Sequence, residues 1–461
     1  MIRLLLSAAA LALTASPAAA QQLPRRAQLG VTMPAAQHQG QGASVGEVVP
    51  GATAASLGVR AGDVITRFNG RPITRPPELV AAVRDLIGGT PVSVTVRREG
   101  RETLLRGRAV ERPRDTYPGA RVDYGAVPFR GGQLRDILVT PEGVANPPIV
   151  YLLQGFTCTT METPLYHQLI AELLKDGIGF YRVEKAGIGD SAGGVNCADI
   201  DFATELDGFR AAYNHLIQAR GVDPDRIFML GHSMGGFQAP FLAAERAPRG
   251  VAIYGAGLRN WADYNLDLIR FQSFLLFGQD PVEAAAQAES YREALRRFYF
   301  GREAPAAIAA GSEVNARALR EAMAWDGGER VLGRHYKFTQ DLAHQPLTTA
   351  WRDARTNVLA MYGEADIVAL FDEDHRIIAD IANHYRPGSG RYAEIARSGH
   401  GMDVTGDRQE IRRRTIAQGG VTFGDLNPEV ARVLSAWVRE SMARPAWRTV
   451  APTPAPATPA A

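Results

Sequence analysis

A chain of 461 residues is too long for one ordinary domain and predicts two or three. With 46% hydrophobic and 22% charged residues it has the make-up of a folded globular protein, which excludes a disordered or fibrous chain. A net charge of +2, with Arg scattered among acids and never in blocks, gives no reason to expect nucleic acid as a partner.

Residues 1–20 (MIRLLLSAAALALTASPAAA) have a basic start, a short apolar run and a small-residue end, with Ala18, Ala19 and Ala20 supplying an A-x-A cleavage pattern. That is the pattern of a signal peptide, and the apolar run falls short of the about 20 residues a membrane span needs. The expectation is an exported protein, periplasmic or secreted, with no later membrane span. Export makes Cys158 and Cys197 a candidate disulfide, the alternative being two free buried thiols. No His/Cys/carboxylate grouping has metal-ligand spacing, and nothing calls for a cofactor.

Next in the chain, 29–33 (LGVTM) predicts a short strand, followed by a Gly/Gln-rich loop and then 44–49 (SVGEVV). Residues 50–70 (PGATAASLGVRAGDVITRFNG) end in Asn69-Gly70, suited to a two-residue hairpin turn whose central positions both need positive φ. Residues 76–87 carry apolar side chains at Leu79, Val80, Val83, Leu86 and Ile87, a helical stripe, and 91–110 alternate as a closing hairpin. The stretch 27–112 resembles the bacterial PDZ signature, with a small-residue helix leading into L-x-x-G-D-x-I. The resemblance implies an extended C-terminal peptide ligand, with Leu29, Gly30 and Val31 as the carboxylate-binding loop and a side-chain pocket between them and the 76–87 helix. The alternative is a module that only packs against its neighbour or positions its active site.

After a linker at 113–120, strand and helix patterns alternate as in α/β domains, over 118–445. Two antiparallel strands (121–127 and 134–140) precede a buried strand at 148–153, a helix at 166–175, a strand at 178–183 and a helix at 202–219. Four apolar residues then run into Gly231-His232-Ser233-Met234-Gly235, a G-x-S-x-G pentapeptide between a buried strand and a helix-compatible segment. The strand rhythm breaks off over 258–355, which predicts an inserted helical cap. It resumes with a strand at 356–362, a helix at 374–385, a strand at 392–396 and a last helix at 428–442. A Pro/Ala-rich tail, 446–461, is expected to be extended.

A Ser on a tight strand-to-helix turn, followed by a late acid and a His near the end, resembles the α/β-hydrolase superfamily. The implied fold is α/β: a doubly wound, mostly parallel sheet with a cap insertion, beside the small α+β PDZ domain. Ser233 would be the nucleophile, His400 in Ser398-Gly399-His400-Gly401 the general base, and Asp366 after the 356–362 strand the acid. Glu364 is the competing acid, with Asp372 and Asp374 weaker; His232 is taken as the pentapeptide's variable position, and His375 and His384 as helix residues. Backbone N–H groups of Met234 and Phe156 would form the oxyanion hole, with no role assigned to the Gln154 side chain. Residues 187–192 (GIGDSA) mimic a dinucleotide fingerprint but run into glycines, not a helix, and match instead the superfamily's G-x-G-x-S loop. Cys197 on that loop could bridge to Cys158 on the oxyanion loop.

The implied activity is cleavage of an acyl bond in a small-molecule ester through an acyl-enzyme. Peptide or amide cleavage, or a PDZ adaptor with an inactive hydrolase scaffold, are the alternatives.

Overall fold

The computed structural model describes residues 23–33, 42–418 and 424–447. The 1–20 leader and all but the first two residues of the 446–461 tail lie outside them. Within the described part of that tail, the Trp447 indole N–H donates to the Asn357 side chain at 2.9 Å.

The N-terminal part is a small antiparallel sheet of β1 (Ala43–Ser44), β2 (Val64–Phe68), β3 (Arg71–Pro72), β4 (Pro91–Arg98) and β5 (Arg101–Arg108). Asn69 (φ 46°) and Gly70 (φ 79°) make the expected turn between β2 and β3. Helices α1 (Thr53–Leu57) and α2 (Pro76–Val83) close over a core that includes Leu29, Ile65, Phe68, Leu79, Val94 and Val96. Two expectations are corrected. Residues 29–33 form no strand, only a bridge from Val31 to Val48. Gly30 bends the chain there at φ 74°, and a Cβ on it would stand 2.2 Å from that of Ala52. The helix expected over 76–87 stops at Val83, and Ile87 instead bridges to Arg26.

The larger sheet contains β6 (Ala120–Phe129), β7 (Gly132–Pro141), β8 (Ile149–Leu153), β9 (Gly179–Val183), β10 (Ala192–Gly193), β11 (Ile227–His232) and β12 (Gly250–Tyr254), with β15 (Asn357–Gly363) and β16 (Gly390–Ile395) later in the chain. Its order is β10-β7-β9-β8-β11-β12-β15-β16, with β6 on β7, and every pair from β9 to β16 is parallel. Strands covered on both faces should be apolar throughout, and these are. In β8, Ile149, Tyr151 and Leu153 face one core cluster while Val150 and Leu152 face the other; β11 divides Ile227 and Met229 from Phe228 and Leu230 in the same way. Helices α3 (Pro164–Lys175), α4 (Phe202–Gln218) and α5 (Met234–Glu245) fill the crossovers. The region expected to be a helical cap is helical, but it also holds a hairpin, β13 (Arg330–Val331) and β14 (Arg334–His335), that its sequence pattern hid. A helix at Arg408–Gln418 was likewise not foreseen.

The two sheets are joined by buried charge. Arg25 reaches Glu162 at 2.6 Å and Asp190 at 2.8 Å, the Arg26 N–H donates to Asp190 at 2.8 Å, and Arg135 donates to the Leu23 carbonyl at 2.7 Å. Removing one partner of a buried ion pair costs more than the pair contributes, because the other charge is left desolvated. Arg25→Ala is therefore expected to lower stability by about 3 kcal/mol. It should also split one calorimetric unfolding transition into two and open the 113–120 segment to limited proteolysis.

Candidate active site

Strand β11 ends at His232, α5 begins at Met234, and Ser233 alone makes the turn, at φ 53° and ψ −120°. The approach of strand to helix leaves no room for side chains on either flank. A Cβ on Gly231 would stand 2.6 Å from Gly236 Cα, and one on Gly235 would stand 1.9 Å from the Leu153 carbonyl oxygen. The turn points the hydroxyl away from the sheet to where His400 Nε2 lies 2.9 Å from Oγ.

His400 follows β16, and its Nδ1 lies 2.9 Å from Asp366 Oδ2 and 3.2 Å from Oδ1. Asp366 is fully buried after β15, and its Oδ1 also accepts from the N–H groups of Val368 and Ala369, at 2.7 and 2.8 Å. That leaves Oδ2 for the imidazole, which fixes Nδ1 as its protonated nitrogen and Nε2 as acceptor from the serine. The competing acids are committed elsewhere. Glu364 accepts from the Arg397 N–H, Asp372 pairs with Arg376, and Asp374 is held by Arg259 and the Leu258 N–H.

Two residues that hold this arrangement escaped the sequence. His232 is no idle filler of the pentapeptide: its Nε2 donates to the His400 carbonyl at 2.8 Å, and its Nδ1 accepts from the Tyr166 hydroxyl at 2.7 Å. Burial first, and the nearby His400 second, push its pKa down to about 4, so it stays neutral and keeps this tautomer. Tyr254, at the end of β12, bonds Ser398 Oγ and the Gly399 carbonyl at 2.8 and 2.7 Å. A pattern of strands and turns does not predict these contacts, since they join residues 66 to 168 positions apart in the chain.

Met234 directly follows Ser233, and Phe156 lies in the loop that leaves β8. Met234 opens α5, where helix geometry leaves its N–H without an intrahelical partner. The Gly155–Phe156 peptide crosses directly over the serine; a Cβ on Gly155 would lie 3.3 Å from that of Ser233. Gln154 is buried with no partner for its amide among the described residues. A cavity of about 440 Å³ opens from Ser233 and His400, walled by Phe156, Phe237, Trp261, Tyr264, Leu268 and Phe371. Residues 187–192 form a loop that runs into β10 and a short turn of helix at Cys197–Asp199, unlike a dinucleotide site. Cys158 and Cys197 are joined in a disulfide with their Cα atoms 5.8 Å apart, tying the loop after β8 to that turn.

At the small sheet, Leu29, Gly30 and Val31 line a groove of about 520 Å³ opposite Leu79, Val80 and Val83. Its third wall was not legible in the sequence: Cys158, Thr159 and Thr160, with Gly187 and Gly189, come from the larger domain. Among the described residues there is no cluster suited to a metal ion and no helix long and apolar enough to cross a membrane.

Comparison with known proteins gives two family matches. Residues 27–106 match the model described as PDZ domain, and residues 148–294 the model described as serine aminopeptidase, S33. A search of curated proteins finds no match. Among solved structures the chain is similar to Est1E from Butyrivibrio proteoclasticus, at 15% identity over 70% of this chain and 99% of that one, with a TM-score of 0.43. DcsB bound to a substrate analogue is similar at 18% identity, over 70% and 100% of the two chains, with a TM-score of 0.44. The esterase domain of a Rhodothermus marinus protein is similar at 17% identity, over 69% and 98%, with a TM-score of 0.40. The two matches give this chain an N-terminal PDZ domain and, over residues 148–294, an α/β-hydrolase domain of the serine-hydrolase type.

Proposed function

We propose that the protein is an exported hydrolase of carboxylic esters, acting through Ser233, His400 and Asp366, with a PDZ groove that takes the C-terminal end of an extended peptide. The observation that carries the catalytic reading is the unbroken hydrogen-bonded chain from buried Asp366 through His400 to Ser233, 2.9 Å at each link, at the mouth of an apolar cavity. Ser233 Oγ attacks the acyl carbon as its proton passes to His400 Nε2, and the carbonyl π electrons move onto oxygen. That oxyanion meets the N–H groups of Met234 and Phe156. Collapse expels the alkoxide, which takes the proton from His400, and water then releases the acyl group with His400 again as base.

Cleavage of a peptide or amide is the second reading, favoured by the match of residues 148–294 to a serine aminopeptidase model. Its amine leaving group departs less readily than an alkoxide and asks more of His400 as acid. Export is supported by the leader pattern of 1–20 and by the Cys158–Cys197 disulfide, a bond that persists in oxidising compartments.

Fluorophosphonate is expected to label the full chain and to leave Ser233→Ala unlabelled. Asp366→Asn should fold and lose about 10⁴-fold in kcat, since the wrong imidazole tautomer is then favoured. Short p-nitrophenyl esters should be turned over and aminoacyl p-nitroanilides not; the reverse result establishes the peptidase. His232→Phe keeps the ring volume but drops the bond to the His400 carbonyl, and is expected to cost about 10-fold in kcat and 1–3 kcal/mol of stability. A fluorescent peptide with a free C-terminal carboxylate should bind at least about 10-fold more tightly than its amide, as charge-assisted bonds to backbone N–H groups require.

A further inference from the structure

Two buried cations stand behind the loop that carries Phe156, and neither lines the substrate cavity. Lys185, just past β9, is 3% exposed and donates to the Gly155 carbonyl at 2.6 Å. Arg334, which opens β14 in the cap, is 2% exposed; it donates to the Phe156 carbonyl at 3.2 Å and to the Cys197 carbonyl at 2.9 Å. Both meet one carboxylate, Glu205 on α4, at 3.1 and 2.7 Å. Glu205 also accepts from Gln238 on α5, the helix that starts after the serine, at 3.1 Å.

Building on the ester-hydrolase reading above, we propose that Lys185 and Arg334 are positioning residues of the oxyanion hole. They pin the carbonyls on either side of Phe156 so that its N–H faces the oxygen that becomes negative, and they make the cap hairpin part of that geometry. The geometry begins with the peptide unit. Gly155 contributes the carbonyl and Phe156 the N–H of one planar amide, and in a trans amide the two point in opposite directions. A cation that holds the carbonyl on the far side therefore aims the N–H at the serine side. Gly155 has the freest backbone of any residue, so without that anchor the amide plane has little to stop it turning.

Charge points the same way. Two cations against one carboxylate leave a net positive charge behind the hole, in surroundings too dry to screen it well. The Gly155 carbonyl, bonded to Lys185, is polarised, which strengthens the Phe156 N–H of the same amide as a donor. Burial pulls the Lys185 pKa down to about 8, with Glu205 working against that, so the group is still a cation at neutral pH. Burial opposes the Glu205 carboxylate too, yet Lys185 and Arg334 outweigh it and hold its pKa below the usual range. One cation would have sufficed to neutralise Glu205. A second, buried at a desolvation cost, is a departure of the kind found at functional sites, where local stability gives way to the reaction.

Lys185→Met in the full chain tests this. Loss of one well-aimed oxyanion donor costs about 10²–10³ in turnover. A donor left in place but misdirected should cost about 10–100-fold in kcat on p-nitrophenyl butyrate, with KM within about 2-fold of wild type. Affinity for an alkyl trifluoromethyl ketone, which mimics the tetrahedral adduct, should fall by the same factor as kcat. A merely structural role would lower the melting temperature and the active fraction together, without that matched loss. A folded Lys185→Met with wild-type kcat and wild-type ketone affinity overturns the proposal. Should Lys185→Met fail to fold, Arg334→Met and Arg334→Lys decide. The lysine variant should keep most of the kcat that the methionine variant loses, and equal kcat in both overturns the proposal. A wild-type protein that cleaves no ester and takes up no fluorophosphonate brings down the catalytic reading and this proposal with it. An active wild type beside an unimpaired Lys185→Met brings down the positioning role alone.

Discussion

At Ser233 the backbone is held at φ 53° and ψ −120°, a conformation that costs an L-residue about 1–3 kcal/mol and persists only where its surroundings impose it. The parallel pairing of β8 with β11, in register from Ile149–Ile227 to Leu153–Gly231, imposes it here. That register brings the end of β8 against the start of α5, so closely that Gly235 has only the Leu153 carbonyl where a side chain would be. The chain leaving β8 must then pass over the serine, and this is how the Gly155–Phe156 amide comes to lie there. The serine turn, and the course of the loop that crosses it, thus follow from one contact between neighbouring strands.

The remaining members arrive by the same logic from the other side. Strands β11, β12, β15 and β16 are parallel, so all four end at one edge of the sheet, and the turns leaving them must meet there. Asp366 comes after β15 and His400 after β16, 34 positions apart in the chain and in contact across that edge. His232 and Tyr254 end β11 and β12, and each bonds a carbonyl of the turn that carries His400. The ends of four adjacent strands, with the turns that leave them, therefore supply the residues of the proposed chemistry and those that support them.

This explains which parts were legible in the sequence. Ser233, Asp366 and His400 each sit in a local pattern, an apolar strand followed by a tight turn, and the order of those patterns identifies the fold. The residues that steady them do not. His232 reads as a free position until its partner is known to be a carbonyl 168 residues away, and Arg334 lies in a region with no strand rhythm. The helix at Arg408–Gln418 is almost wholly polar; it is held by Ile411 in a small cluster with Leu276, Ala365 and Ile367, too narrow a stripe to register as a period. In the PDZ part, the Asn69-Gly70 turn is visible because turn chemistry is local. Gly30 looked compatible with a strand because the side chain it must avoid, Ala52, comes 22 residues later.

The loop from Gly155 to Glu162 is where the two domains' demands meet. Its first residues lie over Ser233, and Cys158 is tied by the disulfide to the turn that also accepts a bond from Arg334. Thr160 and the Met161 N–H both bond Glu184, whose buried carboxyl is pushed up to about 7, against the pull of those bonds. Glu162 closes the loop by pairing with Arg25, just ahead of the PDZ domain. Cys158, Thr159 and Thr160 meanwhile wall the groove that runs beside Leu29, Gly30 and Val31. An eight-residue segment held at this many points has few backbone angles left to adjust independently. Its conformation over the serine is therefore set jointly by the hydrolase sheet, the cap hairpin and the PDZ domain, and no one of them alone accounts for it.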